Sequence, residues 1–198
     1  MMYYYLFRPC VGRLAGREDL IGYMRRNLNN LIFYADVEKW FDVDQTTVSS
    51  AKDIDDILDF QNTKEITLIA FYISPYKRFF YYFLSHLKIK DLQDYELFPK
   101  KITTENFVKF WNEHKDKYVF NLADLYSEAD GITIQYKLEY DTLVEDMRKI
   151  PGLESTPDTL VTDYQKVLAQ YKEIYTDEIR QWVEEVCKKD IEMFGYQF

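Results

Sequence analysis

Ile66-Thr67-Leu68-Ile69-Ala70-Phe71-Tyr72-Ile73-Ser74-Pro75-Tyr76-Lys77-Arg78-Phe79-Phe80-Tyr81-Tyr82-Phe83 is the stretch on which the fold of this chain turns. Ile66 to Tyr72 is an apolar run with β-branched residues, too short for a comfortable helix, and it reads as a strand buried on both faces. Ser74-Pro75 ends it. Proline has no N–H for a strand ladder and suits the first helical position, with serine before it as N-cap. The aromatic-rich segment that follows reads as a core helix ending near Lys88 to Lys90. A tight strand-to-helix turn at the carboxyl end of a parallel strand is where open α/β sheets place their ligands.

Upstream of that stretch, Met2 to Phe7 has the composition of a first strand, expected beside Ile66–Tyr72 in one sheet. The Gly-containing segment Arg8-Pro9-Cys10-Val11-Gly12-Arg13-Leu14-Ala15-Gly16 should then lead into a helix over about Glu18 to Asn27. Leu31 to Tyr34 reads as a second short strand. Asp53 to Phe60 has helical spacing of Ile54, Ile57 and Leu58.

Downstream, Asp91 to Lys101 reads as a loop. Thr103-Thr104-Glu105 starts a helix with Phe107, Val108, Phe110 and Trp111 on its apolar side. Asp130-Gly131 signals a turn, Ile132 to Leu138 alternates as a strand, and Asp141 to Ile150 is a helix stopped by Pro151-Gly152. Thr176-Asp177-Glu178 opens a last helix with Ile179, Trp182, Val183, Val186 and Ile191 on its apolar side, closed by Gly195. Strands alternating with helices give an α/β fold with a mainly parallel central sheet in three layers. One domain over residues 1–198 is the natural expectation for this length.

The composition narrows the partners. A formal charge of −9 disfavours nucleic acid and anionic membrane surfaces. The chain holds 18 Tyr and 14 Phe with 6 Gly, so some aromatic rings are expected near the surface, where they suit sugars or another protein. Two cysteines, Cys10 and Cys187, give no disulfide framework. They and the two histidines lack metal-ligand spacing, so no metal is expected. With no run of membrane-spanning length and no basic, signal-like start, a soluble, cytoplasmic or intracellular chain is expected.

Several segments together resemble the sulfotransferase family in its carbohydrate-modifying branch. Tyr171-Lys172-Glu173-Ile174-Tyr175-Thr176-Asp177-Glu178, then Val183, Lys189-Asp190-Ile191, Phe194-Gly195-Tyr196 and Phe198, is similar to the closing signature of that family. Asp141-Thr142-Leu143-Val144-Glu145-Asp146 stands in the place of its Glu-Asn-Leu-x-x-Asp segment. Phe107 and Trp111, with His114 downstream, match its middle. Pro75-Tyr76-Lys77-Arg78 matches the second half of its Arg-Asn-Pro-Tyr-x-Arg loop. The resemblance spans nearly the whole chain and is most specific in the last third.

It implies a P-loop-like sulfotransferase fold and transfer of a sulfonate from 3'-phosphoadenosine 5'-phosphosulfate to a hydroxyl of a saccharide or similar acceptor. Such a site must hold an anionic donor and stabilise charge on the leaving phosphate, which a loop opening a helix does with backbone N–H groups and the helix dipole. The family's first loop, Pro-Lys-Thr-Gly/Ala-Gly-Thr-Ser, falls on Pro9-Cys10-Val11-Gly12-Arg13-Leu14-Ala15. Pro9 and Gly12 agree. Cys10 replaces the lysine, and Leu14 and Ala15 replace hydroxyls that would bond the 5'-phosphate. In the second loop the arginine for the 3'-phosphate falls on Ile73 and a serine falls on Tyr81, while Arg78 stays in register.

The resemblance keeps Pro9, Gly12 and Arg78 in their donor-loop positions; Arg8 and Arg13, which flank Gly12, and Ser74 in the second loop are the substitutes for the lost donor contacts, and His114 is the better placed candidate for the general base. A bland alternative stands beside each: Arg8 and Arg13 solvated, Arg78 paired with an acid on the surface, His86 packed or capping, His114 an ordinary C-terminal helix histidine, and Cys10 a buried inert thiol. Losing one charge-assisted phosphate contact costs about 1.5 to 3 kcal/mol, so several losses together reduce donor affinity by orders of magnitude. Two readings follow. One is a sulfotransferase with an altered donor site. The other is a catalytically silent sulfotransferase scaffold serving as a binding or structural subunit, with a Tyr- and Phe-rich face for a protein partner or self-assembly.

Overall fold

Strand β1, Tyr3–Phe7, is flanked on both sides by parallel neighbours, β2 at Leu31–Phe33 and β3 at Ile66–Tyr72. The structure is a computed structural model and describes residues 3–7, 22–24, 26–28, 31–33, 66–89, 99–118, 121–123, 135–160 and 167–198. These fall into two compact units, Met1–Tyr72 with Tyr126–Val161, and Ile73–Leu125 with Thr162–Phe198.

The first unit carries the sheet. Its strand order is β2-β1-β3-β4, with β4 at Tyr136–Glu139 and every pairing parallel. Leu6 lies opposite both Phe33 and Ile69, and Tyr72 lies opposite Glu139. The segments Tyr3–Phe7 and Ile66–Tyr72 are therefore neighbours in a mixed helix and parallel-sheet structure, as the sequence leads one to expect. Ile69, Ala70, Phe71 and Tyr72 are buried in succession. Successive strand residues point to opposite faces, so β3 is covered on both, which is why its sequence shows no polar alternation. The chain steps from β1 to β2 on one side and returns to β3 on the other, placing a topological switch point between β1 and β3.

Behind β4 the chain makes a 3₁₀ turn at Tyr140–Thr142 before the short helix α3, Leu143–Met147. The sequence suggests one helix over Asp141 to Ile150. The difference follows from Asp146, whose carboxylate accepts the Glu139 N–H at 2.9 Å and the Thr142 hydroxyl at 2.8 Å, tying the strand end to the helix. Gly152 then takes φ +93, and a Cβ there would stand 3.2 Å from the Asn27 carbonyl oxygen. Only glycine meets both conditions without strain. Residues 22–24 and 26–27 are helical, inside the span expected for the first helix.

The second unit is helical. Helix α1 spans Pro75–His86 and packs an aromatic core: Phe79 and Phe83 lie 5.5 and 5.1 Å, ring to ring, from Phe107, and 5.6 Å each from Phe110. Both partners belong to α2, Thr104–His114, which Thr103 caps by accepting the Asn106 N–H. Helix α1 stops before Lys88 to Lys90 because Lys88 adopts φ 61 and the Ile89 N–H bonds back to the Leu84 carbonyl, a left-handed closure of the last turn.

The single closing helix suggested by sequence is two, α4 at Asp177–Val186 and α5 at Lys188–Phe194, parted by Cys187 at φ −107, ψ 24. Thr176 caps α4 through the Ile179 N–H, and Gly195 at φ 71 ends α5. Among the described residues outside β1 and β2 no tyrosine or phenylalanine is exposed, and the exposed large apolar side chain there is Met193 at 53%. Among them, too, no helix is long and apolar enough to cross a membrane.

The expected helix at Asp53 to Phe60 lies outside the described residues, as does the loop Arg8 to Gly16.

Candidate functional site

Proline at the first position of α1 fixes where that helix begins, and Ser74 stands at its N-cap position with φ −49, ψ 133. The serine does not cap as its sequence position suggests: its side chain makes no cap hydrogen bond. Ser74 is only 6% exposed, and its Oγ has no hydrogen-bond partner among the described residues. A buried hydroxyl without a partner is costly, of order 1 to 3 kcal/mol. First-turn N–H groups point past the end of a helix, and the first turn of α1 carries no acid. Hydroxyl, N–H groups and dipole together suit an oxyanion.

One turn on, Arg78 goes elsewhere. Its side chain is 2% exposed and Nη2 lies 2.9 Å from Oδ2 of Asp190, itself fully buried. The same nitrogen donates to the Cys187 sulfur at 3.5 Å. The other Asp190 oxygen accepts the Ala123 N–H at 2.7 Å, and the Asp190 N–H donates to Asn121, whose amide donates to the Val186 carbonyl. Burial raises the Cys187 thiol above its ordinary pKa, with Arg78 opposing, so the sulfur stays protonated. The acid-pairing alternative for Arg78 describes what is seen, with the pair in the interior and not on the surface.

His114 ends α2 inside an aromatic cluster. Its ring lies 5.0 Å from Phe110, 4.9 Å from His86 and 6.4 Å from Tyr118, and neither ring nitrogen has a hydrogen-bond partner among the described residues. Burial lowers its pKa, reinforced by His86 and Lys117 and opposed by Glu113. The imidazole is therefore neutral near pH 7, the form a general base requires. Its position is at the wrong end of α1 for Ser74. His86 closes the helix that Ser74 opens, and twelve residues of helix span about 18 Å. Ser74 and His114 are not brought within reach of one reacting atom.

Of the expected site residues, Ser74, Arg78 and His114 are thus placed, while Arg8, Pro9, Gly12 and Arg13 lie outside the described residues. They follow Phe7, the last residue of β1, which pairs with Ala70 at the switch point. Sequence reasoning did not find the partnership of Arg78 with Asp190. The signal was present: Asp190 falls at the helical spacing of Ile179, Val183 and Cys187, all buried, and a carboxylate on a buried stripe needs a cation.

Among the described residues, no three His, Cys, Asp or Glu side chains group as metal ligands would. No family model, curated protein or solved structure matches the chain.

Proposed function

We propose that this chain is a sulfotransferase-like domain, a three-layer sandwich of the P-loop-like sulfotransferase type, that has lost sulfonate transfer and serves as a binding or structural subunit of a larger assembly, cellular or viral. The observation that carries this reading is Arg78. It is the one cation in register with the family's phosphate-binding loops, and its guanidinium is committed to Asp190 in the interior. With Cys10, Leu14, Ala15 and Ile73 at the other donor positions, little is left to grip a doubly anionic nucleotide.

The resemblance itself draws support from the way its separate fragments meet. Tyr76 and Arg78 come from the middle of the chain, Tyr175 and Asp190 from the closing signature. The Tyr175 hydroxyl donates to the Tyr76 carbonyl at 2.8 Å, and Arg78 pairs with Asp190. On this reading both signatures survive for their packing. The half-buried Phe194 and Tyr196, beside exposed Met193, are the described residues best suited to a contact face. Incubation with 3'-phosphoadenosine 5'-phosphosulfate and a panel of saccharide acceptors should release no 3'-phosphoadenosine 5'-phosphate above buffer. Turnover with any acceptor overturns the proposal.

A second reading rests on Ser74. A buried, unpartnered hydroxyl at a helix N-terminus favours a retained phosphate contact and therefore a sulfotransferase with an altered donor site. Phosphate binding abolished by Ser74→Ala would favour it. Absence of phosphate binding to the unaltered chain would remove its support.

A further inference from the structure

The ring of Phe198 is enclosed by three tyrosines, with centroids 5.1 Å from Tyr76, 5.4 Å from Tyr171 and 5.4 Å from Tyr175. The walls hold one another without it. Tyr175 donates its hydroxyl to the Tyr76 carbonyl at 2.8 Å, Tyr76 donates to Glu184 at 3.3 Å, and the Tyr76 and Tyr171 rings stack at 6.3 Å. Tyr76 and Tyr171 are 2% and 4% exposed. Phe198, by contrast, is half-buried, and among the described residues it makes ring and cation contacts but no hydrogen bond. It lies beyond the helix, after Gly195, whose φ of 71 ends α5.

The cage also carries charge that its occupant's ring does not use. Lys172 Nζ lies 5.5 Å from the Phe198 centroid and the Arg180 guanidinium 5.4 Å, while Lys77 stands 5.9 Å from Tyr171. Arg180 is held by Glu184, which also accepts from the Tyr76 hydroxyl. A neutral benzyl ring gains only cation–π attraction there. A ring bearing an anionic substituent keeps the stacking and adds charge-assisted hydrogen bonds to Lys172 and Arg180.

We propose that the Tyr76, Tyr171 and Tyr175 cage is a binding site for aromatic anions, and that Phe198 is a displaceable stopper filling it until such a ligand competes. Preformed walls make the site ready to bind, and the stopper lowers the apparent affinity by the fraction of time it occupies the cage. The site is separate from donor binding and stands whether or not sulfonate transfer survives.

Calorimetric titration of phenyl phosphate, benzyl alcohol and inorganic phosphate into the unaltered chain and Phe198→Ala tests it. Phenyl phosphate should bind Phe198→Ala at least tenfold more tightly than the unaltered chain and more tightly than benzyl alcohol does. Lys172→Gln in the Phe198→Ala background should weaken phenyl phosphate several-fold and leave benzyl alcohol unchanged. Inorganic phosphate, whose binding at Ser74 would not depend on Phe198, identifies any contribution from that site. Equal affinity of the two proteins for phenyl phosphate, or benzyl alcohol binding as tightly, overturns the proposal, the latter because any vacated cavity takes a neutral ring. A readout without substitution is available by placing 4-fluorophenylalanine at position 198: saturating phenyl phosphate should move its fluorine resonance towards the solvent-exposed value, and a stationary resonance contradicts displacement.

Discussion

Arg78 and Asp190 face each other at 2.9 Å with side chains 2% and 0% exposed, a charge pair drawn from the start of one helix and the middle of another. Such a pair is held by complementarity more than by net energy. Two ions removed from water recover the loss only if geometry and hydrogen bonds are good, while removing one partner strands the other. Asp190→Ala should therefore destabilise the chain by about 3 to 5 kcal/mol in urea unfolding. Adding Arg78→Met to that variant should recover part of the loss, since an apolar side chain needs no partner. An Asp190→Ala variant as stable as the unaltered chain contradicts a buried pair.

The caps give a contrast within one experiment. Thr103 and Thr176 each accept an N–H three residues on, and each change to alanine should cost about 0.5 to 2 kcal/mol, additively because they cap different helices. Ser74 occupies the same position on α1 without that bond. Ser74→Ala should be neutral or slightly stabilising in denaturant unfolding, because it removes a buried hydroxyl that has no partner among the described residues. A loss as large as at Thr103 would mean that the serine does cap.

Stability should fall as the solution is acidified from pH 7 to 5.5, and His114 should carry part of that fall. Its folded pKa lies below the unfolded value of about 6.5. The unfolded chain then binds the proton more readily, so stability is full above the unfolded pKa and is lost as pH drops through and below it. One proton sets a ceiling of about 1.4 kcal/mol per pH unit. His114→Phe, which keeps a ring among Phe110, His86 and Tyr118, should flatten this slope. An unchanged slope would place the acid sensitivity elsewhere.

Gly152→Ala should destabilise by more than the ordinary gain from replacing glycine. The new Cβ meets both φ +93 and the Asn27 carbonyl oxygen at 3.2 Å, which is backbone and cannot swing aside. Thermal unfolding of the variant should show a lower midpoint. A higher one contradicts the left-handed turn.

Much of the framework was legible because local chemistry and global packing agreed. The uninterrupted apolar run from Ile66 to Tyr72, the proline behind it, and the threonines ahead of α2 and α4 each state their role within a few residues. The shortened ends were not legible, since they depend on contacts that a linear reading does not contain. Asp146 draws Glu139 and Thr142 into a turn where periodicity suggests helix, and Lys88 closes α1 in a conformation that glycine usually takes. The candidate site divides in the same way. Ser74 was placed at the helix start by sequence, but the absence of a cap bond at its hydroxyl is a fact of geometry. His114 matched a base by position, yet α1 separates it from Ser74 by its full length.

Titration with 3'-phosphoadenosine 5'-phosphate, read as the shift in melting temperature, addresses the loss of donor chemistry most directly. A ligand at one hundred times its Kd stabilises a folded protein by about 2.7 kcal/mol, a shift of several degrees. With Arg78 bound to Asp190 and the loop hydroxyls replaced, the midpoint should stay unchanged up to millimolar nucleotide. A saturating rise in the midpoint that Ser74→Ala abolishes would contradict a silent scaffold and establish a donor site that still works.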